Sequence, residues 1–367
     1  MNTRLWALLL AAALCLSGCA QATPEATTAE TIPVETIHPV AATEALPTTE
    51  PTVTLPQPVT TLLTFVGDCT LGANPSNYYA GSGFIQTVGE NYDYPFRNVA
   101  VYFQNDNATL ANLEGPLTDS GNPVDKTHTF RGPTAYSQIL TEGSVDIVTL
   151  ANNHTLDYGQ TGYDSTVKTL KEAKVPFVER DGTCLVTLNT GLKIGLYGMV
   201  YYDLNRQAME AGISDLQSQG ADLIVVAPHW GVEGSYRPTQ EQMDLAHAAI
   251  DAGADIVWGS HPHVLQPIEE YKDGLILYSM GNFCFGGNGA PEDLDTVLIQ
   301  QEVVKTPDGR VSLGKRKVVP CSIGSAPGKN NYQPTPLDVD SEGYDRVLRK
   351  LEGTFSGPNL KIRKIGK

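Results

Sequence analysis

Seven short apolar runs with helical patterns between them are the feature that most limits what this chain can fold into. The runs have the length and composition of buried strands, and they cover residues 62–66, 109–113, 146–151, 193–198, 222–227, 254–258 and 275–279. Helical patterns lie between them, including residues 162–174 and 239–253. Because strands that alternate with helices are typical of α/β proteins, we predict an α/β fold.

The pattern changes towards the C-terminus. Residues 296–303 and 311–319 have the alternation of a β-hairpin, with Asp308-Gly309 at its turn. A last helix is predicted near residues 341–351.

The first 19 residues resemble the signal of an exported lipoprotein. A short start whose only charged side chain is Arg4 precedes an apolar run, residues 5–16, that is too short to span a bilayer. The run ends in Leu-Ser-Gly-Cys, which resembles a bacterial lipobox and implies a lipid on Cys19. We predict a lipoprotein signal peptide over residues 1–18 and a lipid-anchored protein on the extracytoplasmic face of the cell membrane. An ordinary signal peptide with a chance cysteine is the alternative.

We predict that residues 19–60 consist of the lipidated cysteine followed by a disordered tether. After Cys19 it is rich in Thr, Pro, Ala and Glu and contains no Lys or Arg, so it cannot bury a core. The whole chain has a formal net charge of -16. This charge gives no electrostatic footprint for nucleic acid and supports no polybasic membrane patch. The lipid anchor is therefore the only membrane contact that we expect, and nucleic acid is not an expected partner.

The cysteines beyond the signal leave two interpretations open. Cys69, Cys184, Cys284 and Cys321 lie far apart and form no Cys-x-x-Cys pair. Four cysteines allow three pairings, between which the sequence does not choose. Buried free thiols are an equal alternative, because free cysteine packs as a small apolar residue.

Five of the predicted strands end in residue types that bind metals. In an α/β sheet, ligands bind outside the carboxyl ends of the strands. Side chains at these ends can therefore converge on one site. The candidate metal ligands are Asp68, Glu114, Asn153, His229, His261 and His263.

The chemistry of these residues favours a transition metal. Neutral imidazole together with carboxylate suits Zn, Fe, Mn or Ni rather than the all-oxygen cage of Ca. His261 and His263 are one residue apart, so in an extended loop both can face the same way and serve two metals. We predict one or two divalent ions, with Mn, Fe or Zn as the expected metals.

Each of these residues alone has a simpler interpretation. A strand-end Asp is commonly a turn former, and His229 beside Trp230 is compatible with a packed core histidine. The repetition of the pattern after several strands favours the metal site instead. Three other histidines follow no predicted strand and keep the simpler interpretation: His38, His128 and His247.

The motifs around these residues resemble those of the bacterial CapA family of capsule or poly-γ-glutamate synthesis proteins. The similar segments are Gly67-Asp68, residues 112–115, residues 150–159, His229-Trp230-Gly231, residues 261–266 and residues 278–283. The resemblance covers residues 62–304 in matching order and spacing. The family belongs to the calcineurin-like metallophosphoesterase superfamily, which implies a β-sandwich flanked by helices. We assign residues 61–335 to this domain and residues 336–367 to a C-terminal helix and tail.

The resemblance also implies roles for single residues. Asp68 matches the first metal-binding aspartate, Glu114 the carboxylate that bridges two metals, and Asn153 the amide ligand. The later ligands correspond to His229, His261 and His263.

The same resemblance implies catalytic and substrate-binding residues. His154 matches the histidine that acts on the leaving group, and Asp157 is expected to orient or charge its imidazole. Asn152 and Arg131 are predicted to contact the substrate, Arg131 by clamping an anionic group through its planar fork. A surface ion pair is the alternative for Arg131.

One departure from the superfamily pattern concerns the first motif. Metallophosphoesterases usually have Asp-x-His there, and the third position in this chain is Thr70. One of two metal sites would therefore lack an imidazole ligand.

These observations lead to competing functional hypotheses. The leading one is a metal-dependent hydrolase or transferase that acts on an envelope polymer or its precursor. Poly-γ-glutamate is the polymer that the family suggests, and a membrane-bound synthase is a possible partner. The alternative is a non-catalytic factor that binds or helps to export the anionic polymer with the help of metals. A structural metal fold without activity and an extracellular nucleotidase remain further alternatives.

Overall fold

The computed structural model describes residues 57–77 and 83–361. The predicted signal peptide, Cys19 and nearly all of the tether lie outside these residues, as does the last part of the predicted tail. The predictions made for them stay predictions. In the part of the chain that is described, no helix has both the length and the apolar character needed to cross a membrane.

The strands alternate with helices in the middle of the chain and become consecutive near its end. They are β1 (Val59–Thr70), β2 (Ala108–Leu113), β3 (Ile147–Thr149), β4 (Phe177–Val178), β5 (Thr183–Thr187), β6 (Lys193–Val200), β7 (Leu223–His229), β8 (Ile256–Trp258), β9 (Ile268–Tyr271), β10 (Gly274–Leu277), β11 (Asn282–Phe285), β12 (Asp295–Lys305), β13 (Val311–Ser322) and β14 (Thr335–Pro336).

The helices are of moderate length, and several begin at a capping side chain. They are α1 (Phe84–Val88), α2 (Ala100–Phe103), α3 (Ser137–Glu142), α4 (Gly159–Ala173), α5 (Arg206–Ser218), α6 (Gln240–Asp251) and α7 (Glu342–Leu351). Thr239 and Gln242 form a capping box at the start of α6, because each side chain accepts the other residue's backbone N–H. Ser341 caps α7 in the same way that Asn205 caps α5.

The strands form two sheets. The first has the order β14-β13-β12-β1-β2-β3-β4, with β11 also paired to β1, and the second has the order β5-β6-β7-β8-β10-β9. Strands β1, β2, β3, β4 and β11 are parallel neighbours, as are β6, β7, β8 and β10. Because parallel strands end at the same edge of their sheet, the residues that follow them are brought together.

The two sheets pack face to face, and helices cover their outer faces. Side chains alternate along a strand, so Leu63 and Phe65 of β1 join the core between the sheets, whereas Val66 belongs to an outer cluster. The inner core also contains Val225 and Ile256 from the second sheet. Residues of α5 and α6 cover the other face of the second sheet, and residues of α3 and α4 cover the first.

The prediction of an α/β sandwich flanked by helices is confirmed. All seven apolar runs contain strands, and the hairpin of β12 and β13 and the last helix are present. The described cysteines are free, and three of them are buried, which agrees with the interpretation as packed thiols. Within the run at residues 146–151 the strand covers only Ile147–Thr149, because the chain turns at Asn152, whose N–H donates to the carbonyl oxygen of Leu150.

Candidate metal centre

Asp68 lies within β1, beside the segment that directly precedes β11. Its backbone N–H donates to the carbonyl oxygen of Gly281 at 2.9 Å, and its side chain is fully buried. A glycine at position 67 is required for this approach, because a Cβ there would lie 2.0 Å from the same oxygen. The side-chain amide of Asn112 donates to Asp68 Oδ1 at 2.8 Å and orients the carboxylate.

Glu114 follows β2 and is fully buried. Its backbone N–H donates to the carbonyl oxygen of Cys69 at 3.0 Å. Neither oxygen of its carboxylate has a hydrogen-bond partner among the described residues, and Asp68 Oδ2 has only the 3.2 Å contact with His263 Nδ1. Buried carboxylate oxygens without donors are costly. A cation held between these two side chains would remove this cost, so the residues present fit a metal ion.

Three imidazole nitrogens surround one oxygen of Glu114. The Nε2 atoms of His229 and His263 each lie 3.7 Å from Glu114 Oε1, and that of His154 lies 3.9 Å away. These separations are too long for hydrogen bonds. For His229 and His263 they fit ligands that share a cation with Glu114, because metal–ligand bonds of about 2.1 Å place two ligands at most about 4.2 Å apart.

His229 is the centre of one candidate ligand group. Its Nε2 atom lies 2.9 Å from Asn153 Oδ1 and 3.1 Å from His261 Nδ1. On the other side of the ring, Nδ1 lies 2.8 Å from Ser260 Oγ, a contact that orients the imidazole. Asn153, His229 and His261 can therefore act together with Glu114 on one cation.

His263 is the centre of a second candidate group. Ligand atoms of Asp68, Glu114 and His263 all lie within 4.8 Å of one another. The Nδ1 atom of His263 is 2.9 Å from Asn282 Oδ1 and 3.2 Å from Asp68 Oδ2. Thr70, the residue in place of the usual histidine, is buried and its hydroxyl has no partner among the described residues.

The loop that carries the last two histidines is not extended, and our expectation on this point is wrong. His261 has φ 95° and His263 has φ 56°. Both values are disfavoured for non-glycine residues, and such strain persists only where the surroundings hold the backbone. Here Gly234 donates to the carbonyl of Pro262 at 2.8 Å, between the two histidines. Both rings nevertheless reach the centre.

Burial and nearby charges shift the pKa values of these groups in different directions. Burial lowers the pKa of His229 well below its usual value and that of His261 to about 3. Burial raises the pKa of Glu114, and the charge of Asp68 adds to this effect. Burial alone would lower the pKa of His263, but the charges of Glu114 and Asp68 raise it.

A hydrogen-bonded pair lies beside the candidate ligands. His154 Nδ1 is 2.6 Å from Asp157 Oδ2, and the other oxygen of Asp157 accepts from Lys126 at 2.9 Å. Lys126 Nζ also donates to the carbonyl of Asn153 at 2.8 Å. No sequence pattern marks Lys126, because it lies in an irregular loop without a strand before it. Burial lowers the pKa of His154 despite the opposing effect of Asp157.

Asn152 and Arg131, the two predicted substrate-binding residues, both contact other residues of the protein. The side-chain amide of Asn152 donates to Asn112 Oδ1 at 3.0 Å and to the carbonyl of Leu113 at 2.8 Å. Its oxygen accepts from the backbone of His154 at 3.1 Å. Asn152 therefore ties β2 to the turn that carries the ligands. The guanidinium of Arg131 lies over the ring of Tyr158, 5.3 Å from its centroid. The roles of Asn152 and Arg131 in substrate binding stay predictions.

A cleft of about 740 Å³ opens onto the centre. His154 and His263 face it, and Phe130 lies at its wall against the ring of His154, with 4.3 Å between the ring centroids. Glu233 and His128 also line this cleft, although neither was a predicted site residue. His247 lies elsewhere, stacked on Tyr271, in accordance with its simpler interpretation.

The fold and the site together define an α/β sandwich protein with a buried carboxylate–imidazole centre suited to divalent cations. The family model described as "Bacterial capsule synthesis protein PGA_cap" matches residues 62–179 and 181–287. The chain belongs to this family, and the resemblance that its motifs indicated is confirmed.

The chain is also similar to proteins whose names refer to capsule or PGA biosynthesis. The chain is 32% identical over 268 residues to "Capsule biosynthesis protein CapA" of Bacillus anthracis, covering 65% of this chain and 62% of that protein. It is 29% identical over 315 residues to "PGA biosynthesis protein CapA" of Bacillus subtilis, covering 78% and 76%. The match thus spans less than two thirds of the Bacillus anthracis relative.

Similarity to solved structures is more distant. The 5'-nucleotidase precursor of Thermus thermophilus aligns with a TM-score of 0.42 and 15% identity, covering 71% of this chain and 54% of that one. Purple acid phosphatase PPD1 from yellow lupin aligns with a TM-score of 0.34 and 10% identity, covering 71% and 53%.

Proposed function

We propose that this protein acts in the synthesis of an anionic envelope polymer of the poly-γ-glutamate type, as a metal-dependent hydrolase or transferase. The observation that carries the proposal is the buried carboxylate of Glu114, whose oxygens have no described donor and face three imidazole nitrogens. Family membership supplies the link to capsule synthesis. The polymer comes from the name of the Bacillus subtilis relative, "PGA biosynthesis protein CapA".

The residues of the centre have distinct tasks in this proposal. Asp68, Glu114 and His263 would hold a cation on one side, and Asn153, His229 and His261 together with Glu114 would hold one on the other, with Mn, Fe or Zn as the expected metal. A bound divalent cation supplies activation of water and stabilises developing charge on a phosphoryl or carbonyl oxygen.

His154 is the group that moves a proton. Its 2.6 Å contact with the carboxylate of Asp157 favours the tautomer with hydrogen on Nδ1. This leaves Nε2, which faces the centre, to accept a proton from the attacking water or acceptor group and to pass it to a leaving oxygen or nitrogen. Burial lowers the pKa of His154 and so favours the neutral ring, which can accept a proton. Lys126 balances the charge of Asp157 and keeps it in place.

We also propose that Cys19 anchors the protein by a lipid to the extracytoplasmic face of the cell membrane. The lipobox-like sequence supports this location. An envelope polymer, or a membrane-bound synthase that produces it, is accessible there.

Metal reconstitution tests the proposed activity. The protein is treated with a chelator, reloaded with Mn²⁺, Fe²⁺ or Zn²⁺, and incubated with poly-γ-glutamate and with phosphomonoester and phosphodiester substrates. We expect turnover only in the loaded protein, followed as polymer length by size-exclusion chromatography or as released phosphate. His154→Ala should lose turnover and keep its metal content. No metal-dependent turnover on any of these substrates would contradict the proposal.

A second candidate function is non-catalytic binding or export of the polymer. The observation that favours it is Thr70, which leaves one side of the centre without the usual imidazole. Two measurements separate the two functions. If the protein is a binding factor, the loaded wild-type protein shows no turnover, and the His154→Ala variant keeps its affinity for poly-γ-glutamate.

A further inference from the structure

Glu233 is a carboxylate at the centre that the strand-end pattern did not reveal. It lies in the loop after β7, four residues beyond His229. One of its carboxylate oxygens and one nitrogen each of His261 and His263 lie within 4.8 Å of one another. Within residues 57–77 and 83–361, its carboxylate has no hydrogen bond or ion pair.

The loop that carries Glu233 is held against the histidine loop. Gly234 donates to the carbonyl of Pro262 at 2.8 Å, and its own carbonyl accepts from Leu360 at 2.9 Å. Gly231 and Gly234, on either side of Glu233, have φ 87° and 72°. These left-handed conformations turn the loop back over the centre and would strain any other residue. The position of Glu233 is therefore set by the backbone on both sides.

The donor set is one that first-row transition metals bind. Two imidazoles and one carboxylate leave further coordination positions open, as in metal sites that accept a substrate. The side chain of Glu233 is only partly buried and faces the cleft. Its charge also adds to the effect of burial and of Asp68 in raising the pKa of Glu114, so it acts within the field of the centre.

We propose that Glu233 is a further cation ligand on the cleft side of the centre, where it lies beside His261 and His263, one histidine from each candidate ligand group. This inference concerns the same centre as the proposed function and rests on that centre binding a cation. It adds a ligand for a transition-metal ion at the side where substrate enters. The loop after β7 would thus supply a ligand in addition to those that follow the strands.

Metal binding without turnover tests this inference. The full-length protein is stripped of metal and titrated with Zn²⁺ and with Mn²⁺ by calorimetry, and metal content is measured after dialysis. We expect Glu233→Gln to weaken the binding of one equivalent by roughly 10–100-fold. Glu292→Gln is the matched control, because Glu292 also lines the cleft but belongs to neither ligand group. The control should bind both equivalents as the wild-type protein does.

The outcomes separate this inference from the proposed function. Unchanged stoichiometry and affinity in Glu233→Gln overturn the inference, even if turnover is lost, and leave the proposed function standing. A lost equivalent supports the inference even if no substrate is ever turned over. The absorption spectrum of the Co²⁺-loaded protein gives a second readout. It should change in Glu233→Gln and stay unchanged in Glu292→Gln.

Discussion

The Nδ1 atom of His154 lies 2.6 Å from Oδ2 of Asp157. The same oxygen accepts the backbone N–H of Phe130 at 2.7 Å, and the other oxygen accepts from Lys126 at 2.9 Å. Asp157 is therefore held from three sides. Because its carboxylate cannot rotate freely, it holds the imidazole in one orientation with Nε2 towards the centre.

Replacement of Asp157 by asparagine should impair turnover without removing metal. In Asp157→Asn the amide no longer favours the tautomer with hydrogen on Nδ1, so His154 cannot accept a proton at Nε2. We expect kcat to fall by roughly 10²–10⁴-fold, the usual contribution of acid–base catalysis. Steady-state kinetics and metal analysis of the same samples check this. Asp164→Asn, on the exposed side of α4, is the control. Equal losses in both variants would mean that Asp157 has no special role.

Metal binding should release protons at neutral pH. The charges of Glu114 and Asp68 raise the pKa of His263 against the effect of burial, so the ring carries a proton at pH 7 that a metal must displace. Affinity should therefore rise with pH until His263 is neutral without metal. Calorimetric titration of Zn²⁺ in buffers of different ionisation enthalpy counts the released protons. A binding enthalpy that is the same in all buffers would contradict this prediction.

The buried ion pairs of the C-terminal helix should be important for stability. Lys350 is buried and donates to Asp293 at 2.6 Å and to Asp295 at 2.7 Å. Removing one partner of a buried pair leaves uncompensated charge, so Lys350→Met should lower the free energy of unfolding by about 3–5 kcal/mol at pH 7. Urea unfolding measures this. Lys168→Met, which breaks an exposed pair with Glu172, should change it much less.

The same pairs predict the direction of the pH dependence. Although burial opposes the shift, Arg346 and Lys350 lower the pKa of Asp295 in the folded protein. A lowered folded pKa adds stability that is complete above the unfolded value of about 3.9 and is lost as the pH falls through the folded pKa. In Lys350→Met this contribution is smaller, so the difference from wild type should narrow in acid. A difference that stays constant down to about pH 3, below that unfolded value, would exclude this assignment.

Gly67 should be needed for the metal centre although it has no side chain. A Cβ at this position would lie 2.0 Å from Gly281 O, so Gly67→Ala must push β1 away from the segment before β11. Asp68 would move with it, and we expect weaker metal binding together with a lower melting temperature. Gly182→Ala is the control, because the closest atom to its added Cβ lies at 3.4 Å. Wild-type metal affinity in Gly67→Ala would show that the close approach is dispensable.

The strands of the fold could be predicted from local sequence. An apolar run of five or six residues predicts a buried strand, because these residues must be buried and a central strand buries its side chains on both faces. Polar residues directly after the runs at residues 62–66 and 109–113 therefore pointed to a common sheet edge. The structure brings Asp68 and Glu114 together there, within reach of one cation.

Residues outside this pattern could not be found in the same way. Lys126 and Glu233 lie in irregular loops, and no periodicity marks the direction of a side chain in a loop. The resemblance marked Arg131, but its guanidinium is stacked on Tyr158, a contact that depends on how two separate segments meet. Asn152 and Asn153 are neighbours, yet one bonds within the protein and the other lies beside His229.

The sequence by itself determined which residues lie at the ends of buried strands and hence the kind of chemistry that the centre offers. Only the tertiary structure decided which atoms meet, since His261 and His263 reach the centre through a strained loop whose φ angles no sequence pattern announces. The physical reason is that burial of apolar runs is a local property of the chain. The approach of Glu233 to those two histidines depends instead on contacts between segments far apart in sequence.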